Sequence, residues 1–322
     1  LLSIMLVACN SKSKHNSQKE TPTTFQNKGH ELVAKMVEKT GNYNLLLNKK
    51  DVIYTYTYQT PNGASDVSIE KYIFKNELSM GYYKHHQRTF PNLVGEVKQG
   101  YDGHGYWLKH NHKVLNDSTR LKMVMFNRHT NFYWFAMIQK LLDPGLNYEY
   151  IGEKNINKTT YNIVKVSFKS KNSKPTDTYQ LYINKKTNLV DQFLFTVADF
   201  GLLETPFLMT LEYEKIDGIW IPTQRKYKKS TWKAAVSDAP WINVNWSNIS
   251  FNNSLKRKEF KNIMEELQPY DMAYLFKELP EKHRGRFLSF LTVDDVTEMM
   301  GELEREYQEI VLEKVGKDKA TF

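Results

Sequence analysis

The chain has one cysteine, Cys9, among 322 residues. A single thiol excludes an internal disulfide framework and any zinc site built from several thiolates. Long apolar runs are also scarce. The only strongly apolar stretch lies at the extreme N-terminus, so no permanent membrane-spanning helix is expected elsewhere. The short patterns that carry catalysis are missing: no GxSxG, no HExxH and no phosphate-cradling GxxxxGK[ST]. Serine, histidine and aspartate are all present, but no local spacing suggests a triad, and the expectation is a protein that is not an enzyme. No nucleic-acid module pattern occurs, and the lysines are scattered through strand-like segments, so no nucleic-acid partner is expected.

What is present divides the chain by charge. Residues 263–322 hold fourteen acidic and eight basic residues, which leaves 37 Lys+Arg against 22 Asp+Glu in residues 1–262. The overall charge of +9 therefore averages a basic body and an acidic tail. The sign changes where the hydrophobic period also changes, over LKRKEFKNIMEELQPYDMAYLF at 255–276, which marks a boundary between domains. The basic part suits an acidic partner such as a phospholipid surface.

At the N-terminus, Leu6-Val7-Ala8-Cys9 follows an apolar run and precedes a Ser/Lys-rich segment, the order found at the end of a secretory signal peptide. The small residue before the cysteine resembles a bacterial lipobox. Residues 1–9 are read as signal-peptide end and lipobox, with Cys9 as the lipid-attachment site. The other account is a lone cysteine behind a fragment of core helix. Each buried methylene adds roughly 0.8 kcal/mol of membrane affinity, so several acyl chains would anchor the protein durably. Residues 10–27 have almost nothing to bury and read as a disordered tether. The expected location is the periplasmic face of a bacterial membrane.

From 28 to 258 the pattern is that of a β-rich domain with a few helices. HELVAKMVEKTG places Leu32, Val33, Met36 and Val37 on one helical stripe ending at Gly41. Alternating segments follow: VIYTYTY, VSIEKYIF, YNIVKVSF, TYQLYIN, LVDQFLF, LMTLEYE and INVNWSNISF. Turn residues such as Pro61-Asn62-Gly63 and Asp217-Gly218 separate them. A second helix is expected over HTNFYWFAMIQKLL, stopped by Asp143-Pro144-Gly145. The fold class is α+β: a curved antiparallel half-barrel sheet with packing helices, followed by a small all-α helical-repeat segment. Two histidine clusters occur, His85-His86 and His110-x-His112. Strand residues at i and i+2 share a face, but two ligands with no third nearby make a poor metal site, and exposed polar strand residues are the simpler account.

Several phrases of this body resemble the outer-membrane lipoprotein-sorting fold of the LolA and LolB carriers and related lipoproteins of Bacteroidota type. They are Tyr101-Asp102-Gly103 with Tyr106-Trp107, the strand-turn-strand LYINKKTNLVDQF with Leu181, Ile183 and Thr187, the phrase EKIDGIWIP from Glu214 to Pro222, and Tyr133-Trp134-Phe135-Ala136-Met137 followed by LLDPG. The resemblance implies an incomplete barrel whose concave apolar face meets a helical lid and holds acyl chains or another lipophilic ligand. Trp107, Phe132, Trp134, Phe135 and Trp220 are the candidate ligand-binding residues, because aromatic side chains with few polar neighbours can line such a pocket. Aromatics on strands also serve simply as core. No cofactor is expected for the body.

In the acidic tail, 259–322, the period is helical. Leu267, Leu279, Leu291, Leu303 and Val315 stand twelve residues apart. Pro269, Pro280, Thr292 and Glu304 each fall where a new helix would open, and Thr292 with Asp295 makes a variant capping box. A row of short helices stacked as a solenoid is expected, burying a core only against its neighbours. The phrases LQPYDMAYLFKELPEKHRGRFLSFLT and GELEREYQEIVLEKVG resemble the intracellular N domain of MgtE magnesium transporters, in part. In that family the N domain belongs to a magnesium sensor packed near a CBS pair, and neither the CBS pair nor the pore helices match here. The resemblance implies Mg2+ as a candidate ligand at the tail and another protein domain as its packing partner. Asp294, Glu298 and Glu302 stand at i, i+4 and i+8, with Asp295 beside them, and these four are the candidate metal ligands. A solvated polar stripe is the simpler account.

The two resemblances belong to different compartments. The leading reading is a membrane-anchored, non-enzymatic lipid- or ligand-binding lipoprotein carrying an MgtE-type helical segment, as a chimeric gene product. The alternative is a magnesium-sensing regulatory fragment of a transporter.

Overall fold

The computed structural model describes residues 24–111, 113–169, 175–260, 268–289, 291 and 293–318, and the structural statements below concern these. Thirteen strands form one antiparallel sheet. They are β1 Asp51–Gln59, β2 Ser65–Ile73, β3 Leu78–His86, β4 Val97–Tyr101, β5 Tyr106–His110, β6 Lys113–Val114, β7 Leu146–Ile156, β8 Thr159–Phe168, β9 Thr178–Asn184, β10 Val190–Val197, β11 Leu202–Ile216, β12 Ile219–Lys229 and β13 Ile242–Phe251. Their spatial order is β6-β5-β4-β3-β2-β1-β13-β12-β11-β10-β9-β8-β7. Two meanders, β1 to β6 and β7 to β13, are therefore joined side by side where the first strand pairs with the last, Tyr56 opposite Trp246.

Helix α1 (Lys28–Thr40) begins at Asn27, whose side chain accepts from the His30 amide, and ends at Gly41, which adopts φ 96°. Its buried face, including Val33, Met36 and Val37, packs on β7 and β8. A short helix α2 (Tyr43–Asn48) follows. Helix α3 runs from Ser118 to Lys140, eleven residues longer at its N-terminus than the segment His129–Leu142 expected from sequence. Asp117 starts it early by accepting from the Arg120 amide.

The placement of α3 decides the shape of the body. It follows β6 and precedes β7, and those two strands are the opposite edges of the sheet. Twelve inter-strand steps of about 4.8 Å would put the edges of a flat sheet roughly 58 Å apart. A 23-residue helix covers only about 35 Å. Its exit is a tight turn in which the Asp143 amide bonds Lys140 O. The sheet therefore curls, and α3 lies across its concave face. Buried α3 residues Val124, Arg128, Phe132, Phe135 and Ala136 follow helical spacing and face that surface.

Hairpin chemistry set the three β-phrases noted in the sequence. At β4–β5, Asp102 Oδ1 accepts from the amides of His104 and Gly105. At β11–β12, Asp217 and Gly218 both have positive φ, 49° and 90°, as a two-residue turn requires. LYINKKTNLVDQF spans β9, its turn and β10. The WFAM phrase is the last part of α3.

The tail is four short helices, α4 (Pro269–Glu278), α5 (Glu281–Leu288), α6 (Val293–Met300) and α7 (Arg305–Asp318), around one small core of Met272, Ala273, Phe276, Leu288, Met299, Leu303 and Val311. The starts at 269, 281, 293 and 305 keep the twelve-residue period seen in the leucines. Pro269 opens α4 with Gln268 and Asp271 forming a reciprocal capping box. Pro280 is the cap of α5 rather than its first residue. Leu267 and Thr292 lie outside the described residues.

Candidate functional site

Beneath α3 the concave face is aromatic. Phe135 sits 5.0 Å from Tyr54 and 5.2 Å from Trp246, and Phe132 lies 5.2 Å from Tyr72, ring centre to ring centre. These rings belong to a cluster built from β1, β2, β13 and α3. A second cluster, of Met137, Ile138, Tyr179, Phe193 and Phe195 with the α1 face, lies alongside. Trp134 joins this one, 5.6 Å from Phe195 and 6.2 Å from Tyr227. Two faces of one helix thus fill the curve of the sheet.

Of the five aromatic residues singled out from sequence, Phe132, Trp134 and Phe135 are brought together under α3. Trp107 is elsewhere, in a separate group with Leu78, Met80 and Phe260, and its indole N–H donates to Phe260 O at 2.7 Å. Its partner in register is Gly100, where a Cβ would collide with the indole. Trp220 lies between Ile219 and Ile221, which are buried on the inner side. Strand alternation therefore turns Trp220 to the outer face, beside Lys215.

Two polar features in this apolar space escaped sequence reading. The first is an ion pair between sheet and helix. Arg128 donates to both oxygens of Glu70, at 2.7 and 3.2 Å, and both side chains are fully buried. Ser68 and Tyr72 also donate to Glu70, Tyr54 bonds Tyr72, and Arg128 reaches Tyr83 Oη. Burial is the largest single influence on Arg128 and would lower its pKa, but the Glu70 charge and hydrogen bond together with Tyr83 and Tyr72 outweigh it, and the net shift is upward. Burial, with Glu70 adding to it, holds the Tyr54 and Tyr72 hydroxyls well above the ordinary tyrosine range, so both stay neutral donors. Gly81 faces Glu70 across the ladder, and a Cβ there would stand 2.7 Å from Arg128 Nη1. A cavity of about 70 Å3 adjoins Arg128, lined also by His129, Phe132, Tyr133, Tyr101 and Tyr106.

The second feature is Arg225 on β12, 5 % exposed. Its Nε donates to Pro222 O at 3.0 Å and its Nη2 to the carbonyl of Trp134 on α3 at 3.1 Å. The guanidinium lies 3.5 Å from the centre of the Trp246 ring.

A signal for these residues existed in strand alternation. In β2 the buried positions are Asp66, Ser68, Glu70 and Tyr72, while Val67, Ile69 and Ile73 are only half-buried. The polar set is therefore the inward one, the reverse of the ordinary arrangement. In β12 the inward set is Ile219, Ile221, Thr223, Arg225 and Tyr227, with one arginine at an otherwise apolar or neutral register.

The metal candidates resolve differently. Helix α6 ends at Met300, where the amides of Gly301 and Glu302 turn back to Glu298 O and Met299 O. Glu302 is therefore off the helix, and the expected i, i+4, i+8 face is not continuous. Gly301 supplies the break, since glycine weakens a helix interior. Asp295 is half-buried and Glu298 exposed on α6, while the Asp294 side chain lies outside the described residues. Among the described residues no three His, Cys, Asp or Glu side chains gather as a metal site would need. His86 has both ring nitrogens bonded to backbone carbonyls, of Thr89 and Gly95. His110 bonds Val94 O. His112 and Cys9 fall outside the described residues. Among those described, no helix is long and apolar enough to cross a membrane.

Residues 105–202, from β5 through α3 to the start of β11, match a family of unknown function, DUF6503. Over 67 residues the chain is 67% identical to the magnesium transporter MgtE of Bacillus subtilis strain 168. That match covers 21% of this chain and 15% of the transporter, so the chain spans under a sixth of that curated relative. Among solved structures, a DUF1329 family protein of Desulfovibrio piger is 16% identical with a TM-score of 0.44, covering 72% of this chain and 95% of that one. A putative outer membrane lipoprotein-sorting protein domain of Vibrio parahaemolyticus is 13% identical, TM-score 0.46, covering 73% and 96%. A LolA superfamily protein of Nitrosomonas europaea is 14% identical, TM-score 0.40, covering 69% and 98%. The MgtE resemblance of the tail read from the sequence recurs in the 67-residue match.

Proposed function

We propose that the β-rich body is a non-enzymatic binding module for a lipophilic ligand, held at the periplasmic face of a bacterial membrane by acyl chains on Cys9. One observation carries the binding reading: a single helix, α3, covers the concave face with Phe132, Trp134 and Phe135 and touches both aromatic clusters. Withdrawing one element would open a continuous apolar surface of the kind that binds acyl chains. In the closed form those side chains occupy the space a ligand would take, so binding requires α3 to move. A fluorescent acyl probe tests this. Saturable one-to-one binding to the chain, competed by unlabelled lipophile, is expected, and an absence of saturable binding sinks the reading. Radiolabelled palmitate should be incorporated by the wild type and not by Cys9→Ala.

The 67-residue identity favours a second reading for the tail. Residues 259–322 are an MgtE-type helical segment joined to an unrelated lipoprotein body, with Mg2+ as its candidate ligand. If the segment retains a metal response, millimolar Mg2+ raises its unfolding midpoint by binding the folded form. An unchanged midpoint removes the sensing role and leaves only the fold. A long sequencing read of source DNA across the codons for Asn252 to Pro269 separates a genuine fusion from two genes joined in error.

A further inference from the structure

The two buried arginines under α3 differ in their charge balance. Arg128 has Glu70. Arg225 is nearly as deeply buried and, among the described residues, has no carboxylate within ion-pair distance. Its partners are two backbone carbonyls and an indole face. These satisfy donors and leave the charge unneutralised. Removing an ion from water costs several kcal/mol, and neutral acceptors return only part of it. Burial accordingly pushes the Arg225 pKa down to about 9, with only tyrosines as its chief electrostatic neighbours.

A second donor at the same spot is also unsatisfied. Trp246 is 4 % exposed, and its indole Nε1 is buried with no hydrogen-bond partner. This is the ring on which the Arg225 guanidinium rests. A cation without an anion and an N–H without an acceptor thus share one contact. The place also matters, because the Trp134 carbonyl that Arg225 holds belongs to α3, the element covering the apolar face.

We propose that the ligand of the concave face is a lipophilic anion, its carboxylate or phosphate group seated on Arg225 with Trp246 Nε1 as a second donor once the Trp134 carbonyl is released. The inference rests on the lipophile-binding reading above and adds the chemical class of the ligand. A planar guanidinium fork suits an oxyanion with two oxygens, and charge-assisted bonds strengthen away from water. The apolar chain would then lie along the two aromatic clusters that Phe132, Trp134 and Phe135 now fill.

The test uses the full chain and three probes of one chain length: dodecanoate, dodecyl phosphate and dodecanol. Calorimetric titration should show one or both anions binding roughly ten- to a hundredfold more tightly than the alcohol, the worth of a charge-assisted hydrogen bond. Arg225→Gln should abolish that preference, so that the anions and dodecanol bind that variant alike, and Arg225→Lys should keep part of it. Near-UV circular dichroism checks that each variant is folded. If Arg225→Gln does not fold, the wild-type preference and Arg225→Lys decide. Equal binding of alcohol and anions, or a preference that survives Arg225→Gln, overturns the inference while the lipophile reading stands. Failure of all three probes to bind removes both. Comparing the two anions tells a fatty-acid-like head group from a phosphate, and either result supports the proposal.

Discussion

The body and the tail reach stability by opposite routes. The body is closed by contacts between distant residues: Asn253 bonds Asp51 across 202 positions, and the ion pair of Glu70 and Arg128 ties the sheet to α3. The tail is closed by near neighbours. Arg284 on α5 caps the end of α4, donating to Phe276 O, Lys277 O and Leu279 O, at most eight residues away. Gln308 on α7 does the same for α6 at Met300 O and Leu303 O. Arg284 and Gln308 stand twenty-four residues apart. The leucine period is twelve, but the capping contact recurs once per pair of helices, and α4 packs on α6 while α5 packs on α7. Distant closure makes a fold that is lost as a whole, whereas local repetition makes one that can fray by parts.

Breaking each region at its centre tests that contrast most strongly. Glu70→Ala leaves Arg128 buried without a counter-charge and should cost about 4 kcal/mol. Urea unfolding followed by tyrosine and tryptophan signals from the body should shift by that amount. The helical signal of the tail should hold its midpoint, and a joint shift would show that the two regions unfold together. Phe276→Ala empties the middle of the tail core and should cost about 3 kcal/mol there. The expected readout is loss of helical circular dichroism at a lower temperature with the near-UV spectrum of the body intact.

Smaller changes sharpen the comparison. Arg284→Ala should cost about 2 kcal/mol and Gln308→Ala about 1 kcal/mol, since the first removes three bonds from a charged donor and the second two from a neutral one. Thermal melts of both variants check the order: equal losses would contradict the ranking by donor charge, and no loss in either would contradict a paired capping repeat. The smallest effect expected is at His30, which stacks on Tyr148 and accepts from the Gln26 amide. Burial lowers its pKa below the ordinary histidine value of 6.5. Its folded form therefore resists protonation, and the stability it contributes is present above the unfolded value. That contribution is lost as pH falls through the folded value. Melting temperatures measured from pH 7.5 to 5 should fall less steeply in His30→Gln than in the wild type.

Much of the fold was legible because it rests on local patterns. β1 shows clean alternation, with Val52, Tyr54, Tyr56 and Tyr58 inward, and the Asp217-Gly218 turn announces its hairpin. The first half of α3 was not legible, since Met123 and Met125 are exposed and no apolar stripe marks it before Val124. β4 and β5 were hidden by their length of five residues each, and β3 by Gly81 near its centre and by its Lys84-His85-His86 end. The candidate site was legible only in part. Phe132, Trp134 and Phe135 gather as aromatics near one helix should, while Trp107 and Trp220 are separated by strand pairing that composition does not encode.

The sequence by itself determined the division into a basic β-rich body and an acidic helical tail, the twelve-residue helix spacing and the positions of the tight turns. These follow from residue type, period and charge within a few positions of one another. Only the tertiary structure decided that β1 pairs with β13 and that α3 bridges the two edges of a curled sheet. It alone decided that Glu70 neutralises Arg128 while Arg225 is buried without a counter-charge. Those outcomes depend on which distant groups share a low-dielectric space, and the cost of an unpaired charge exists only once that space has formed.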